Sequence, residues 1–271
     1  MKIAVCVKQV PASQDAKMDP QRGTLIRSGV EMAANPYDLA AVEAALRLRE
    51  ALGGRVTAFS MGPEAAEAVL RDALAMGADE AVLVSDRAFA GADVLATSHT
   101  LAQAIAARGQ FQLILCGRQT TDGDTAQVGP AIAAQLGIPC VCWVSRIETA
   151  GEDGLEVIQL TTRGEARVRV ACPCVLCVEK DLAQPRIPGL RAKLAAGKQR
   201  PLRMSLADME DRDPAHYGLE GSPTRVVEIY PPPRRARGRR LEGTGEEVAE
   251  QLLEKLATVR EGRFEDRVWK E

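Results

Sequence analysis

At 271 residues with 46% hydrophobic content, the chain is long enough to bury one sizeable core and to carry extensions beyond it. Aromatic residues make up only 3%, so Val, Leu, Ile and Ala must fill most of that core. A formal net charge of −2 argues against a broad nucleic-acid footprint, and no run approaches the roughly 18 apolar residues of a membrane span.

Ile3 to Val7 is too short for a secretory h-region and Lys8 follows at once, so a cytoplasmic location is expected. Lys2 to Val7 (KIAVCV) reads as the first strand. Asn35-Pro36 offers an N-cap and a first-turn proline, with Asp38 as an acid suited to capping, and Leu39, Val42 and Leu46 then recur at helical spacing. Arg55 to Ser60, Ala81 to Val84 and Leu113 to Cys116 read as further strands, each short and bounded by polar residues or glycine. Gly77 and Gly137 fall where helix C-caps belong. Strand-helix alternation of this kind implies a Rossmann-like α/β fold, a mostly parallel sheet with helices on both faces.

After Val144 the pattern changes. Leu155 to Thr162 and Ala166 to Val170 read as antiparallel strands turning at Arg163-Gly164, and Cys172 to Val178 as another strand. Pro185 to Gly197 is punctuated by proline and glycine. Beyond residue 200 the chain is polar and proline-rich, ending in a helix near Glu246 to Arg260 with Val248, Leu252, Leu256 and Val259 on one face. The expected division is a nucleotide-binding α/β domain over 1–200 and a C-terminal arm with a helix over 201–271.

Open parallel sheets bind ligands beyond the carboxyl ends of their strands, near helix N-termini. Four segments occupy such positions: Cys6 and Val7 with the residues up to Val10; Met61-Gly62-Pro63; Ala90-Gly91-Ala92-Asp93; and Gln119 to Pro130. In the last, Asp122-Gly123-Asp124-Thr125 supplies a turn, and Thr125 is placed to cap a helix starting at about Ala126. The free amides of that first turn, with the helix dipole, form an anion site suited to a nucleotide phosphate. Neither a GxGxxG nor a Walker sequence is present, so the residues alone say only that this α/β protein suits a nucleotide.

Longer stretches say more. VKQVP, NPYDLAAVEAALRLRE, ALAMGAD (Ala73 to Asp79) and GRQTTDGDTAQVGP together resemble the β subunit of heterodimeric electron-transfer flavoproteins, over most of the chain and in the family's order. The resemblance implies a bound nucleotide and an α-subunit partner carrying FAD. Ordinary members hold AMP with a loop resembling DDDxNQTGQ; here Ala126 and Val128 stand where its Asn and Thr would be, and Pro130 replaces the final Gln. Each lost bond to a charged phosphate is worth about 1.5–3 kcal/mol. The DGDTAQVGP form, with DRAFAGADVLATS over Asp86 to Ser98, instead resembles the electron-bifurcating group that holds a second FAD. Val94 departs from the Thr common there.

The resemblance places this FAD against Cys6, Val7, Asn35, Tyr37, Asp38, Met61, Gly62, Ala90, Gly91, Asp93 and Thr97, and against the loop residues Gln119, Thr120, Thr121, Asp122, Gly123, Asp124, Thr125, Ala126, Gln127, Val128, Gly129 and Pro130. It implies electrons taken from NADH and split between ferredoxin or flavodoxin and, through the α-subunit FAD, an acyl-CoA dehydrogenase. No side chain is expected to act as nucleophile or base. Leu190 falls where the family docks its partner dehydrogenase, although Ala183-Gln184-Pro185-Arg186 replaces the usual NEPR before it. Alternatives left open are an AMP-binding, non-bifurcating β subunit and a stand-alone nucleotide-binding or ATP-hydrolysing α/β protein.

Seven cysteines, an odd number, read as thiols. Cys140, Cys142, Cys172, Cys174 and Cys177 match no common metal spacing and sit in apolar runs, where core packing is expected. His99 and His216 stand far apart in sequence and suggest no shared site. The basic cluster Arg234 to Arg240 is expected to meet a partner subunit or solvent rather than nucleic acid.

Overall fold

The computed structural model describes residues 1–12, 31–151, 153–227, 238 and 240–260, with no side-chain detail at 258–260. It divides into two compact units, Met1–Ile229 and Tyr230–Glu271. In the first, the predicted strands form at Lys2–Cys6 (β1), Arg55–Met61 (β4), Glu80–Val84 (β5), Leu113–Gly117 (β6), Gly154–Thr161 (β8), Gly164–Ala171 (β9) and Cys174–Val178 (β10). A short antiparallel pair, Gln9–Pro11 (β2) and Met32–Ala34 (β3), lies outside the main sheet. Two further strands were not expected: Cys140–Ala150 (β7) and Leu202–Met204 (β11).

Among the described residues the main sheet has nine strands in the order β11-β5-β4-β1-β6-β10-β7-β8-β9. Its strands are parallel from β11 to β7, and the β7-β8-β9 pairings are antiparallel. The chain moves outward from β1 through β4 to β5, then returns to place β6 on the other side of β1. That reversal is a topological switch point, and it opens a crevice beyond the carboxyl ends of β1 and β6.

Alternating side chains feed two cores. Ile3 and Val5 join one with helices Pro36–Leu52 (α1) and Glu67–Met76 (α2). Ala4 joins the other with helices Val94–Ala107 (α3) and Val128–Leu136 (α4). Gly77 (φ 122) and Gly137 (φ 66) end α2 and α4 as expected, since an L side chain disfavours such angles.

The first unit extends past residue 200. β11 pairs with β5, and the segment after it seats Met204, Met209 and the fully buried Tyr217 in the second core, with the Tyr217 hydroxyl donating to Asp211 O at 2.5 Å. The proline-punctuated stretch after Pro185 contains a helix, Leu190–Lys198 (α5). In the second unit a helix spans Gly245–Arg260 (α6). Of the basic cluster, Arg234, Arg235, Arg237 and Arg239 lie outside the described residues, as does Pro231-Pro232-Pro233. No described helix is long and apolar enough to cross a membrane.

Candidate functional site

The crevice is built from the end of β1, the start of α1 and the end of β6. Asn35 stands at the N-cap position of α1, but its side chain makes no capping bond. Instead Asn35 Nδ2 donates to Gln119 O (2.8 Å), and Asn35 N donates to Lys8 O (3.0 Å), tying three elements at one residue. Asn35 is fully buried, and its Oδ1 has no hydrogen-bond partner. Asp38 likewise is a strut more than a cap: Lys8 N donates to its Oδ2 (2.8 Å) and Gly117 N to its Oδ1 (3.2 Å). Burial pushes the Asp38 carboxyl up to about 7, against these hydrogen bonds. Gly117 has no substitute here, because a Cβ would lie 2.3 Å from Asp38 Oδ1 and 2.6 Å from Tyr37 Cβ.

The loop 118–127 rises from this base. Its helix starts later than expected: α4 begins at Val128, Gln127 takes the cap position, and no side chain caps it. Thr125 therefore does not cap a helix at Ala126. Asp124 (φ 52) and Ala126 (φ 55) are both left-handed, a conformation that a right-handed helix cannot include. Val128 and Gly129, in the first turn, keep amides without an intrahelical acceptor, while Pro130 has none to offer. The acids around them are held. Lys8 Nζ pairs with Asp122 at 2.8 Å, and Gln119 Nε2 donates to Asp124 Oδ1. Burial raises the Asp122 carboxyl, but the Lys8 ammonium more than offsets it and holds the group below the usual carboxylate range.

Sequence reasoning missed the wall of this crevice. Arg118 bonds Glu179 with two contacts of 2.9 and 3.2 Å, donates to Tyr37 Oη at 3.1 Å, and stacks 4.3 Å from the Trp143 ring centroid. Trp143 is 44% exposed and left-handed (φ 61), unusual for a bulky residue. No local sequence signal marks it.

The other expected residues divide. Val7 is fixed at the end of β1 by a bond from its N to Phe59 O (2.8 Å), beside half-buried Cys6. Met61 closes β4, and Gly62 N donates to Val84 O (3.1 Å). Ala90, Gly91 and Asp93 meet the segment 217–224: Leu219 N donates to Ala90 O (2.9 Å), and a Cβ on Gly91 would lie 3.2 Å from Leu219 Cβ. Asp93 Oδ1 caps α3 by accepting from Ala96 N (3.1 Å), and its Oδ2 accepts from Thr224 N (3.1 Å). Thr97 follows in the first turn of α3, its N donating to Asp93 O. Thr120, Thr121, Gly123 and Thr125 lie on the loop itself. Leu190 opens α5 at 75% exposure, on a segment anchored by Arg186 to Glu43 and Glu50. A separate cavity of about 410 Å³, between Asp79, Arg108 and Leu202, lies at the amino-terminal edge of the sheet.

His99 and His216 do meet, contrary to their separation in sequence. Both bond Asp211 Oδ2, at 3.1 and 2.7 Å, and hold the segment after β11 against α3. The cysteines divide by face: Cys174 and Cys177 are buried in opposite cores.

A parallel sheet with a switch-point crevice, floored by backbone struts and closed by a helix N-terminus, defines a nucleotide-binding α/β protein. The family described as "Electron transfer flavoprotein domain" matches residues 22–209. The chain is 45% identical to the electron transfer flavoprotein subunit beta of Megasphaera elsdenii, covering 94% of this chain and 98% of that one. It is 44% identical to the subunit of the same name from Thermoanaerobacterium thermosaccharolyticum, with 94% and 98% covered. It is 42% identical to caffeyl-CoA reductase-Etf complex subunit CarD of Acetobacterium woodii, with 94% and 98% covered. The chain belongs to the electron transfer flavoprotein family, among its β subunits. Membership implies a flavin or nucleotide cofactor in general.

Proposed function

We propose that this β subunit binds FAD in the switch-point crevice and, paired with an FAD-bearing α subunit, takes electrons from NADH and bifurcates them. The reading is carried by the loop Asp122 to Pro130. Its anion-binding groups are backbone amides of Val128 and Gly129; of the nearby carboxylates, Asp122 is paired with Lys8 and Asp124 is held by a hydrogen bond from Gln119. Ala126, Val128 and Pro130 supply no side-chain donor for a terminal phosphate. A diphosphate laid across the helix start suits such a site better than the doubly charged end of AMP. The unpartnered Asn35 Oδ1 offers an acceptor at the crevice floor.

When bound there, FAD would accept a hydride from NADH and yield two electrons, one for ferredoxin or flavodoxin and one for the α-subunit FAD and an acyl-CoA dehydrogenase. The chain's own contribution is positional. Lys8, Asp38 and Asn35 lock β1, α1 and β6 together, so the crevice is pre-formed. Arg118, held by Glu179 and flanked by Tyr37 and Trp143, sets a cation at its rim. The CarD relative is named for a CoA-reductase complex, which supports a CoA-linked partner for this chain. Leu190 is proposed as the docking residue for that partner, and Leu190→Ala is expected to slow electron delivery to the dehydrogenase with flavin content unchanged.

The deciding experiment is a flavin count on the purified heterodimer. Two FAD per heterodimer, both reduced by NADH, is the expected result. One FAD and one AMP would overturn the bifurcating reading, and failure to co-purify with an α subunit would overturn the pairing.

A further inference from the structure

Away from the crevice floor, three thiols among the described residues form a close cluster. Cys140 and Cys142 lie two residues apart on β7 and so share one face. Cys177 projects from the neighbouring strand β10 toward the same core, against which Cys140 and Cys142 pack. Between Leu176 and Val178 the register of β10 on β7 shifts, so that Cys142 and Trp143 together face Cys177 alone. This bulge, with Trp143 in the left-handed region, brings a second thiol opposite Cys177. Such outliers persist where surrounding structure holds them in place, often at sites of function.

The three sulfur atoms lie within 4.8 Å of one another, and Cys140 Sγ is 3.7 Å from Cys142 Sγ. Two thiolates bound to one zinc ion at about 2.3 Å, with a tetrahedral angle between them, stand about 3.8 Å apart. The Cys140–Cys142 spacing thus fits a shared cation, with Cys177 close enough to complete the set. It fits a disulfide poorly. Residues two apart on a strand have Cα atoms about 6.7 Å apart, at the outer limit of roughly 6.8 Å for a bridge, and their side chains run parallel.

A helix start lies against the cluster, where its dipole favours anionic sulfur. Gly129 in the first turn of α4 packs so closely that a Cβ there would lie 2.3 Å from Cys177 Sγ, which sets the positive end of the helix dipole beside the cluster. Within the cluster, hydrogen bonds from Cys140 and Cys177 hold the Cys142 thiol below the ordinary range, while the bond to Cys142 pushes Cys140 up to about 12 and the bonds to both, with burial, push Cys177 well above it. Cys140 and Cys142 are half-buried, so the cluster has a route to the outside.

We propose that Cys140, Cys142 and Cys177 bind one thiophilic d10 cation of the Zn²⁺ class, through three thiolates with a fourth position left for water. Uptake replaces S–H bonds by S–metal bonds and releases up to three protons to solvent. No electron moves, and the occupied site carries a net charge of −1. The cation would staple β7 to β10 beneath α4. It adds a site distinct from the flavin site and does not depend on which nucleotide the crevice holds.

The test uses the full-length chain, reduced and stripped with a chelator, and titrated with Cd²⁺ while sulfur-to-cadmium charge-transfer absorbance is followed. One Cd²⁺ per chain, displaced by Zn²⁺, is expected. Cys142→Ser and Cys177→Ala should each weaken uptake by roughly 100-fold or more, while Cys172→Ser, packed against the opposite core, should leave it intact. Should the variants fail to fold, alkylation of the wild-type chain decides: Zn²⁺ should abolish labelling of Cys140 and Cys142 but not of Cys172. Absence of the charge-transfer band, equal uptake by Cys142→Ser, labelling unaffected by Zn²⁺, or a Cys140–Cys142 disulfide with no metal uptake would each overturn the proposal.

Discussion

Gly129→Ala is the sharpest probe of how α4 is seated. Gly129 is buried in the first turn of the helix, and the added methyl would lie 2.3 Å from Cys177 Sγ and 3.4 Å from Cys116 Cβ. The first contact cannot be relieved by a flexible tip, because the Cys177 sulfur is buried in the sheet. Overpacking of this kind costs about 1–3 kcal/mol. Alanine returns at most about 1 kcal/mol in helix propensity, and less at a helix start. A net loss of about 1–2 kcal/mol is expected in chemical denaturation of the full-length chain. Cys177→Ala removes the obstructing sulfur, so the double variant should be more stable than the sum of the two single changes by about 1 kcal/mol or more. Nucleotide content should fall with Gly129→Ala and recover in the double variant, since the displaced element carries the anion-facing amides. Strict additivity, or an alanine variant as stable as the wild type, would refute the close approach of α4 to β10.

Arg186→Gln should cost about 2–3 kcal/mol, below the full range for breaking a buried pair because Arg47 still reaches Glu43. Burial raises the Glu43 carboxyl, and Arg186 and Arg47 more than offset it, so its pKa in the folded chain is lowered. The stability it contributes is present above the unfolded value of 4.5 and lost as pH falls through the folded one, so the variant's acid limb should be flatter in pH-dependent denaturation. Asp38 runs the other way: with its carboxyl raised from 3.8 to about 7 by burial, its contribution is full at low pH and lost as pH rises through about 7. Asp38→Asn should cost about 1–3 kcal/mol at pH 5, where one of the two amides Lys8 N and Gly117 N loses its acceptor, and less at pH 8, where the wild type bears a buried charge. The hydrogen bond to Asp211 raises the His216 pKa above 6.5, so the clasp formed by Asp211, His99 and His216 should be tight below that value and loosen as pH rises through the folded one. Protection factors over residues 205–222, taken relative to the intrinsic base-catalysed exchange rate at each pH, should therefore fall at higher pH in the wild type and stay nearly constant in His216→Gln.

The parallel half of the fold was legible because apolar runs such as Leu113 to Cys116, bounded by polar residues and glycine, leave few readings other than a strand buried on both faces. The loop Gln119 to Pro130 was legible for the same local reason, a turn followed by a helix. β7 escaped because it changes partner along its length, parallel to β10 at one end and antiparallel to β8 at the other, so it carries no single alternation. β11 is three residues long and gains its place only by pairing with β5. The extension past residue 200 looked like an arm because Met204, Met209 and Tyr217 are too widely spaced to form a periodic face, yet each reaches the same core. Within the site, the features that stayed hidden are long-range: Arg118 to Tyr37 and Glu179, Lys8 to Asp122, and Cys177 to a pair of thiols on another strand.

Those long-range links determine what the crevice offers a ligand. Of four acidic side chains on its floor and rim, three are offset: Asp38 is buried and raised toward neutrality, Asp122 is paired with Lys8, and Glu179 is paired with Arg118, while Asp124 is held by a hydrogen bond from Gln119. The groups remaining for an anion are the start of α4 with its two free amides. Recognition by amides responds to phosphate oxygens and hardly at all to the rest of the ligand. Selection between a mononucleotide and a dinucleotide therefore needs, besides the loop's lack of side-chain donors for a terminal phosphate, surfaces beyond the phosphates, and the exposed Trp143 beside Arg118 is one such surface. If FAD is the occupant, replacing Asp122 by Asn should free Lys8 and alter affinity for FAD and AMP together, whereas Trp143→Ala should change the preference between them.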